Sequence, residues 1–223
     1  MRYDFAVRTD IGLLRMENED AVFAMPFPQE PKRFLAIVAD GLGGYAGGKI
    51  ASHLAVDVIR DVLNSYPDHG TIRPLLQKAF KEANAAILQK ASQAGELRQM
   101  GTTATAIYFF EEKAYLAHVG DCRVYLLRGG RLSQCSNDHS FGRHNLSRAL
   151  GLTDVKVDIN ILSIIPGDYY LVCSDGFYNT LDPETIVETI KNMPLEHAAD
   201  YLVQTAKDRD GSDNISLIIT QIL

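Results

Sequence analysis

The sequence lacks three features that would each point to a special class of protein. It has only three cysteines and no Cys-x-x-Cys pair, which disfavours a disulfide framework or a zinc-binding cluster and favours a reducing compartment. No segment approaches the roughly 20 apolar residues that span a membrane. The first residues contain no apolar stretch of signal-peptide length. We therefore expect a soluble, cytoplasmic protein that does not associate with membranes.

An excess of positive charge is also missing. The net charge is −6 at pH 7, which argues against binding to nucleic acid, because such proteins usually carry a basic face. An acidic balance is compatible with carboxylate clusters that hold cations. The hydrophobic fraction of 46% and the charged fraction of 22% are ordinary for a globular protein. With 223 residues and no linker or charge block, we expect one domain over residues 1–223, and a monomer.

The hydrophobic pattern separates the chain into strand-like and helix-like segments. Residues 50–63 and 75–88 keep an apolar stripe at helical spacing, and a second helical pair is predicted over 183–191 and 195–207. Alternating or continuously apolar segments predict strands in the first forty residues, between 102 and 127, over 155–165 and 169–173, and over 215–223. Arg128-Gly129-Gly130-Arg131 predicts a hairpin turn. Short turns between consecutive strands favour antiparallel sheets. The simplest packing is a layered sandwich with each helix pair on a sheet face.

Acidic residues stand at the ends of several predicted strands. Asp40 follows the apolar segment 34–39 and precedes Gly41, and Glu19 and Asp20 stand where the second strand begins. Three further aspartates occupy similar positions: Asp121, Asp175 and Asp213. Each of them taken alone is most simply a turn residue, because Asp-Gly and related pairs favour turns. If the strand ends meet in space, however, several carboxylates converge on one point.

Converging carboxylates repel one another unless they are protonated or bridged by a cation. Oxygen ligands without Cys or His favour Mg²⁺ or Mn²⁺ over Zn²⁺, and the glycine beside Asp40 would let a main-chain carbonyl take part. Two such ions about 4 Å apart can lower the pKa of a shared water for attack on phosphorus. Arg15, four residues before Glu19, is a candidate for gripping the phosphate bidentately.

Two nucleotide-binding motifs are nearly present in the same loop. Gly43, Gly48 and Lys49 approach a P-loop, but Ile50 stands where the motif needs Ser or Thr. The glycines after Asp40 also approach a dinucleotide-binding fingerprint, but the acidic residue that this fold needs at the end of the next strand is missing. A P-loop or dinucleotide-binding enzyme is therefore the remote alternative, and neither motif accounts for the other aspartates.

A set of short motifs runs along nearly the whole chain in one order. They are Thr9-Asp10-Ile11-Gly12 with Arg15 and Asn18-Glu19-Asp20, Val38-Ala39-Asp40-Gly41-Leu42-Gly43-Gly44, Met100-Gly101-Thr102-Thr103, His118-Val119-Gly120-Asp121-Cys122-Arg123, Asp138-His139-Ser140, Ser147-Arg148-Ala149-Leu150-Gly151, Cys173-Ser174-Asp175-Gly176 and Ser212-Asp213-Asn214. In this order they resemble the metal-dependent protein phosphatases, or protein phosphatase 2C family, in its bacterial serine/threonine branch.

The resemblance implies an α+β fold, a four-layer α-β-β-α sandwich with two mainly antiparallel central sheets flanked by helix pairs. It also implies two Mn²⁺ or Mg²⁺ ions and a third, weaker one. Asp40, the carbonyl of Gly41, Asp175 and Asp213 would be metal ligands. Asp20, with Glu19 as a further candidate, would bind metal directly or through water. Asp121 would hold the third ion, Arg15 would bind phosphate, and Asn214 would support the site.

The implied activity is hydrolysis of phosphoserine and phosphothreonine in proteins by a metal-bridging hydroxide. The substrates would be proteins phosphorylated by a serine/threonine kinase in a signalling pathway. The alternative is a catalytically weak or dead phosphatase-like module that binds phosphoproteins, but its signature would be the loss of the metal aspartates, which are all present. Only residues 141–146 stand where the family usually has a longer flap, so the flap is expected to be shortened and the cleft to be open and little selective.

Overall fold

The computed structural model describes residues 1–27, 30–42, 46–65, 71–93, 100–141, 145–152 and 155–223. In chain order the elements are β1 (Tyr3–Asp10), β2 (Ala21–Phe27), β3 (Glu30–Ala39), β4 (Gly41–Leu42), α1 (Ala46–Asn64), α2 (Ile72–Gln93), β5 (Gly101–Thr102), β6 (Ala104–Phe110), β7 (Lys113–Val119), β8 (Arg123–Arg128), β9 (Arg131–Gln134), β10 (Asp158–Ser163), β11 (Tyr169–Cys173), α3 (Asp175–Tyr178), α4 (Pro183–Asn192), α5 (Leu195–Arg209) and β12 (Ile215–Ile222).

Two five-stranded antiparallel sheets form the centre of the molecule. One has the strand order β1-β12-β11-β8-β9, and the other has the order β10-β7-β6-β3-β2. Helices α1 and α2 pack on the outer face of the second sheet, and α3, α4 and α5 pack on the outer face of the first. The predicted four-layer α-β-β-α sandwich is therefore confirmed.

The layer between the two sheets is rich in aromatic side chains. Phe34 and Phe109 come from one sheet and Tyr170 from the other, and all three are almost fully buried. Phe34 and Phe109 are 5.9 Å apart between ring centroids, and Phe109 meets Tyr170 edge-on at 5.1 Å. Large rings on facing strands bury much apolar area, so this layer holds the two sheets, and with them the loops at their ends, in one fixed relation.

The structure differs from the sequence-based expectation in three short elements. The strand predicted over 155–165 is shorter, since β10 covers only Asp158–Ser163. The pair Gly129-Gly130 forms the expected hairpin turn, with φ of 58° and 81°, but strand β9 after it was not predicted. Asp175 was expected at a turn after β11, and it instead begins the four-residue helix α3. Local propensity is weak in such short elements, and tertiary packing decides them.

The strand registers bring one end of both sheets to the same edge of the sandwich. In the second sheet Ala21 lies opposite Ala39, and Ala104 lies opposite Val119. In the first sheet Asp10 lies opposite Ile215 and Cys173 lies opposite Leu217. Because neighbouring strands are antiparallel, this edge collects the ends of some strands and the beginnings of others.

None of the helices in the described ranges combines the length and the apolar character needed to cross a bilayer.

His118 is a fully buried histidine on β7. It is hydrogen-bonded to the Thr105 hydroxyl at 2.8 Å and to the main-chain oxygen of Asn137 at 3.0 Å, and its ring lies 4.7 Å from that of His139. Desolvation, followed by the neighbouring His139 ring, lowers the pKa of His118 to about 4. The neutral ring is therefore the form that fits the fold.

Replacing His118 should weaken the acid sensitivity of the fold. A histidine whose pKa is lower in the folded than in the unfolded chain binds its proton mainly in the unfolded chain. Its contribution to stability should therefore be complete above the unfolded value of 6.5 and should be lost as the pH falls towards 4. Between about pH 7 and pH 4.5 we expect wild type to lose about 2–3 kcal/mol more stability than His118→Gln, measured by urea unfolding. Equal losses in both proteins would contradict this assignment.

Candidate metal centre

The acidic residues identified in the sequence all lie at the shared edge of the two sheets. Those belonging to the second sheet are Asp20, just before β2, Asp40, just after β3, and Asp121, after β7. Those belonging to the first sheet are Asp175, directly after β11 and Ser174, and Asp213, before β12. Aspartates as far apart in the chain as Asp20 and Asp213 therefore approach one another because the strand directions bring these ends to one edge.

The backbone at Asp40 is held on both sides by two threonines. The Asp40 amide donates to the Thr103 hydroxyl at 2.9 Å, and the Asp40 carbonyl accepts from the Thr102 hydroxyl at 2.8 Å and from the Thr103 amide at 2.9 Å. The next residue has to be glycine, because a Cβ on Gly41 would lie 2.4 Å from the backbone of Gly48. Helix α1 thus packs directly against the residue whose carbonyl is the candidate ligand.

Asp20 connects the two sheets and is almost fully buried. The Ser174 hydroxyl, which follows β11, donates to Asp20 Oδ2 at 2.8 Å. The other carboxylate oxygen, Oδ1, is buried and has no hydrogen-bond partner among the described residues. Glu19 Oε1 is in the same state, and it would lie 2.7 Å from a Cβ built on Gly48. Buried carboxylate oxygens without a donor are costly, and a cation is the partner that such atoms best accommodate.

Helix α3 sets the relation between Asp175 and Asp213. A Cβ on Gly176 would lie 2.2 Å from the Asn214 carbonyl oxygen and 3.3 Å from Asp213 Cβ. The first turn of α3 therefore rests on the segment that leads into β12, which is possible only because Gly176 has no side chain. This contact brings the aspartate that begins α3 next to the aspartate that precedes β12.

The carboxylates are close enough to affect one another's protonation. Desolvation raises the pKa of Asp20 to about 7, and Asp175 and Asp213 add to the rise. Desolvation also raises the pKa of Asp40 well above its ordinary value, with further contributions from Asp20, Asp175, Asp213 and Asp121. The pKa of Asp121 is raised to about 6, first by desolvation and then by Asp175 and Asp138. The five aspartates at the shared edge therefore form one electrostatic cluster, which Asp138 also influences.

The donor chemistry of this cluster fits hard divalent cations. Its carboxylate oxygens and the Gly41 carbonyl are ligands that suit Mg²⁺ and Mn²⁺. A cation would also satisfy the buried oxygens of Glu19 and Asp20, which find no hydrogen-bond donor within the part of the chain that the structure describes. Within the described ranges, no three His, Cys, Asp or Glu side chains already have the closed arrangement of a metal-binding group. The cluster is thus a set of mutually repelling neighbours, and the ligand assignments from the sequence stay predictions.

Arg15 lies beside the cluster, where the sequence placed the phosphate-binding group. One of its guanidinium nitrogens contacts Asp213 Oδ2 at 2.7 Å, and its side chain is 47% exposed. Asp40 and Glu19 also act electrostatically on this guanidinium. A planar guanidinium at the exposed rim of a carboxylate cluster is well suited to receive the oxygens of a phosphate group.

Asn214 closes the loop that carries Arg15. Its side-chain amide donates to the Ile11 carbonyl at 3.0 Å and to the Glu17 carbonyl at 3.1 Å. Its side-chain oxygen accepts from the Glu19 amide at 2.8 Å. The residue is almost fully buried, so its amide group fixes both ends of the loop 11–17 relative to β12.

Sequence reasoning missed several groups that hold the acidic residues in place. Ser174, Thr102 and Thr103 stand inside the recognised motifs, but nothing in the sequence indicated which atoms they bind. The short connection between Asp138 and Ser147 holds a further such group. His139 accepts from the Gly120 amide at 3.1 Å through Nδ1 and contacts Asp158 Oδ2 at 3.1 Å through Nε2. The loop that carries Asp121 is therefore braced by this histidine.

Two predicted features fall partly outside the described residues. Residues 43–45 belong to one glycine motif, and residues 142–144 belong to the short flap segment.

The comparisons with known proteins decide the family. The family model described as Protein phosphatase 2C matches residues 15–211. The chain belongs to the protein phosphatase 2C family. The resemblance inferred from the ordered motifs is thereby confirmed.

Two bacterial serine/threonine phosphatases illustrate the similarity in sequence. The serine/threonine protein phosphatase PstP of Mycobacterium tuberculosis is 32% identical over 238 residues, which cover 98% of this chain and 45% of PstP. The serine/threonine phosphatase stp of Listeria innocua is also 32% identical, covering 96% of this chain and 94% of the relative. This chain therefore spans a little under half the length of PstP and nearly all of the Listeria phosphatase.

Solved structures of a bacterial serine/threonine phosphatase agree with the fold. A crystal structure of M. tuberculosis PstP superposes with a TM-score of 0.91 at 31% identity, covering 100% of this chain and 99% of that one. A structure of the PstP catalytic domain in complex with two manganese ions has a TM-score of 0.89 at 33% identity, with 98% and 97% coverage. The agreement extends over the whole sandwich.

Replacing Asn214 should loosen the loop that carries Arg15. Asn214→Ala leaves the Ile11 and Glu17 carbonyls and the Glu19 amide without their buried partner, so we expect a loss of about 2–4 kcal/mol in unfolding free energy. Amide hydrogen exchange should become faster at residues 11–17 in particular. Asn160→Ala is the matched control, because Asn160 is exposed and its side chain makes only one hydrogen bond to the described residues, of 3.2 Å to the Cys135 carbonyl. Equal behaviour of the two variants would show that the Asn214 amide does not fix the loop.

Proposed function

We propose that this chain is a metal-dependent phosphatase that hydrolyses phosphoserine and phosphothreonine in proteins. The observation that supports this most is the gathering of carboxylates from both sheets around one edge, next to an exposed arginine. Membership of the phosphatase 2C family supports the same function. The manganese ions in the PstP complex support Mn²⁺, or the chemically similar Mg²⁺, as the cofactor.

The acidic cluster would hold two cations. The proposed ligands are Asp40, the Gly41 carbonyl, Asp175 and Asp213, with Asp20 binding directly or through water and Glu19 in a supporting position. Asp121 would hold a third ion. When bound, the cations supply positive charge and lower the pKa of a coordinated water molecule. The chain itself keeps the carboxylates desolvated and close together. Because solvent then screens their charge less, they attract the cations more strongly.

Arg15 would bind the phosphate of the substrate. In the structure its guanidinium is held by Asp213, so this ion pair has to loosen, or be shared, when the phosphate arrives. The Asn214 bonds at both ends of the loop keep the backbone of Arg15 in place during this exchange. Only the side chain then has to reorient, which limits the entropy lost on binding.

The cysteines do not favour a covalent thiol mechanism. Cys122 and Cys173 are fully buried, and desolvation raises the pKa of both thiols above the ordinary value. Burial also raises the pKa of the Cys135 thiol. Since the thiolate is the nucleophilic form, direct attack by water at the acidic cluster is the better supported route.

The wider context is part of the same proposal. The substrates would be proteins phosphorylated by a serine/threonine kinase, and the chain would act as a monomer. All three cysteines are free, which supports the expectation of a reducing, cytoplasmic environment. Turnover of a phosphothreonine peptide with Mn²⁺, and its loss with a chelator, is the direct test of the activity.

Asp40→Asn separates an enzyme from a phosphatase-like binding module. The substitution removes one of the repelling carboxylates, so the metal-free variant should be more stable than metal-free wild type by on the order of 1–2 kcal/mol. Mn²⁺ should raise the melting temperature of wild type, since binding to the folded state stabilises it, and should raise that of the variant much less. Turnover should fall by more than about a hundredfold.

The exposed Asp57 on α1 provides the matched control for this test. Asp57→Asn should keep both the turnover and the stabilisation by Mn²⁺. Full stabilisation of Asp40→Asn by Mn²⁺ would exclude Asp40 as a ligand, and full turnover of that variant would exclude the proposed mechanism.

Arg15→Ala should impair binding of the phosphate group more than folding. The loss of one charge-assisted contact to phosphate is worth about 1.5–3 kcal/mol, so kcat/KM should fall about 10- to 100-fold. Arg15→Lys should recover only part of this loss, because lysine cannot bind two phosphate oxygens in the same planar geometry. Arg60→Ala, at a surface ion pair on α1, is the control. A kcat/KM for Arg15→Ala equal to that of the control would refute the assigned role.

A further inference from the structure

The loop between β1 and β2 exposes an unusual number of apolar side chains. Ile11 is 37% exposed, Leu13 62%, Leu14 72% and Met16 94%. No other six-residue stretch in the described part of the chain exposes as many large apolar side chains. We call residues 11–16 the apolar loop. Contiguous exposed apolar groups on a folded domain usually mark a surface that binds something.

The backbone of the apolar loop is well anchored, so the exposure does not result from missing contacts. The Leu13 amide donates to the Gly211 carbonyl at 2.6 Å, and the Gly12 amide donates to Asp10 Oδ1 at 2.8 Å. Gly12 has a φ of 78°, and a Cβ there would lie 2.3 Å from the Asp213 carbonyl oxygen. The main chain is therefore packed on the residues before β12, and the Leu13 side chain rests partly on Gly211, where an added Cβ would lie 2.8 Å from Leu13 Cγ. Leu14 and Met16 remain the most exposed side chains of the loop.

The apolar loop is continuous with the proposed phosphate-binding position. Arg15 stands between Leu14 and Met16, and its guanidinium lies on Asp213 at the acidic cluster. A peptide whose phosphate reaches Arg15 therefore has its neighbouring residues at the apolar loop, since consecutive residues of an extended chain advance only about 3.3 Å. Directly after the loop, the Glu17 carboxylate is paired with the Lys49 ammonium group at 3.5 Å. Because these two charges largely cancel, a bound peptide would meet mainly apolar side chains there.

We propose that the apolar loop is a specificity surface for phosphoprotein substrates, and that it favours substrate segments with apolar side chains directly beside the phosphorylated residue. Leu14 and Met16 would contact these side chains. The proposal rests on the proposed phosphatase function and adds a substrate class to it. It departs from the low selectivity that the short connection at 141–146 predicts by itself.

Two otherwise identical phosphothreonine peptides test the proposal, one with leucine and one with serine on both sides of the phosphothreonine. With Mn²⁺, wild type should hydrolyse the leucine peptide with a kcat/KM about tenfold higher, the size of effect that partial burial of one or two apolar side chains produces. In the double variant Leu14→Ser/Met16→Ser the ratio of the two kcat/KM values should fall to about one or two. Each protein's turnover of 4-nitrophenyl phosphate serves as its own reference for the chemical step.

A matched double variant controls for the loss of exposed apolar surface in general. Met25 and Leu223 are 49% and 51% exposed. Met25 lies well along β2 from Asp20, and Leu223 follows the end of β12 that is remote from Asp213. Met25→Ser/Leu223→Ser should therefore keep the wild-type ratio. Thermal unfolding should show that both double variants are folded.

The outcomes separate the alternatives. Equal turnover of the two peptides by wild type would overturn the proposal, and so would a preference that persists in Leu14→Ser/Met16→Ser. A concentration-dependent dimer that sedimentation detects in wild type and not in this variant would overturn it too, because the loop would then bind a second copy of the chain. Absence of turnover of every substrate, 4-nitrophenyl phosphate included, would instead refute the phosphatase function itself, and this inference with it.

Discussion

The dominant constraint on this structure is the repulsion among the carboxylates that the fold brings together at one edge. Burial and mutual repulsion raise the pKa of Asp20, Asp40 and Asp121, so the metal-free protein carries an electrostatic cost at neutral pH. This cost is the physical basis of the proposed selectivity for cations, because a divalent ion removes the repulsion of several groups at once. The surrounding packing has to be strong enough to withstand the cluster before any ion is bound.

The rest of the sandwich provides that resistance. Defined contacts hold three of the acidic residues in place. Two threonines bind the backbone of Asp40, Ser174 donates to Asp20, and Gly176 of α3 packs beside Asp213. The aromatic layer of Phe34, Phe109 and Tyr170 joins the sheets behind these contacts. The carboxylates therefore cannot move apart without disturbing hydrogen bonds and a packed core, which keeps the site assembled despite its own charge.

The periodicity of the sequence predicted most of the architecture, and the ordered motifs predicted the candidate site. Helices α1, α2, α4 and α5 carry long apolar stripes, and they occur where those stripes predicted them. Helix α3 has only four residues, too few for any periodic signal, and its position follows from the contact of Gly176 with Asn214. The partners of Asp20 and Asp40 were equally hidden, because a hydroxyl that donates across two sheets depends on strand register and not on local sequence.

The loop that carries Asp121 and the apolar loop are both held in place, but by different kinds of contact. In the short connection after Asp138, His139 bonds to Gly120 in both directions, with its amide donating to the Gly120 carbonyl at 2.7 Å and its ring accepting from the Gly120 amide. The connection therefore braces the loop of Asp121 through polar contacts that are mostly buried. The apolar loop is also anchored, by the Asn214 side chain and the Gly211 carbonyl, yet it leaves Leu14 and Met16 largely exposed. A loop that is rigid in its backbone and apolar at its surface loses little entropy when it binds a partner, so contact with the flanking residues of a substrate is the use that best explains its composition.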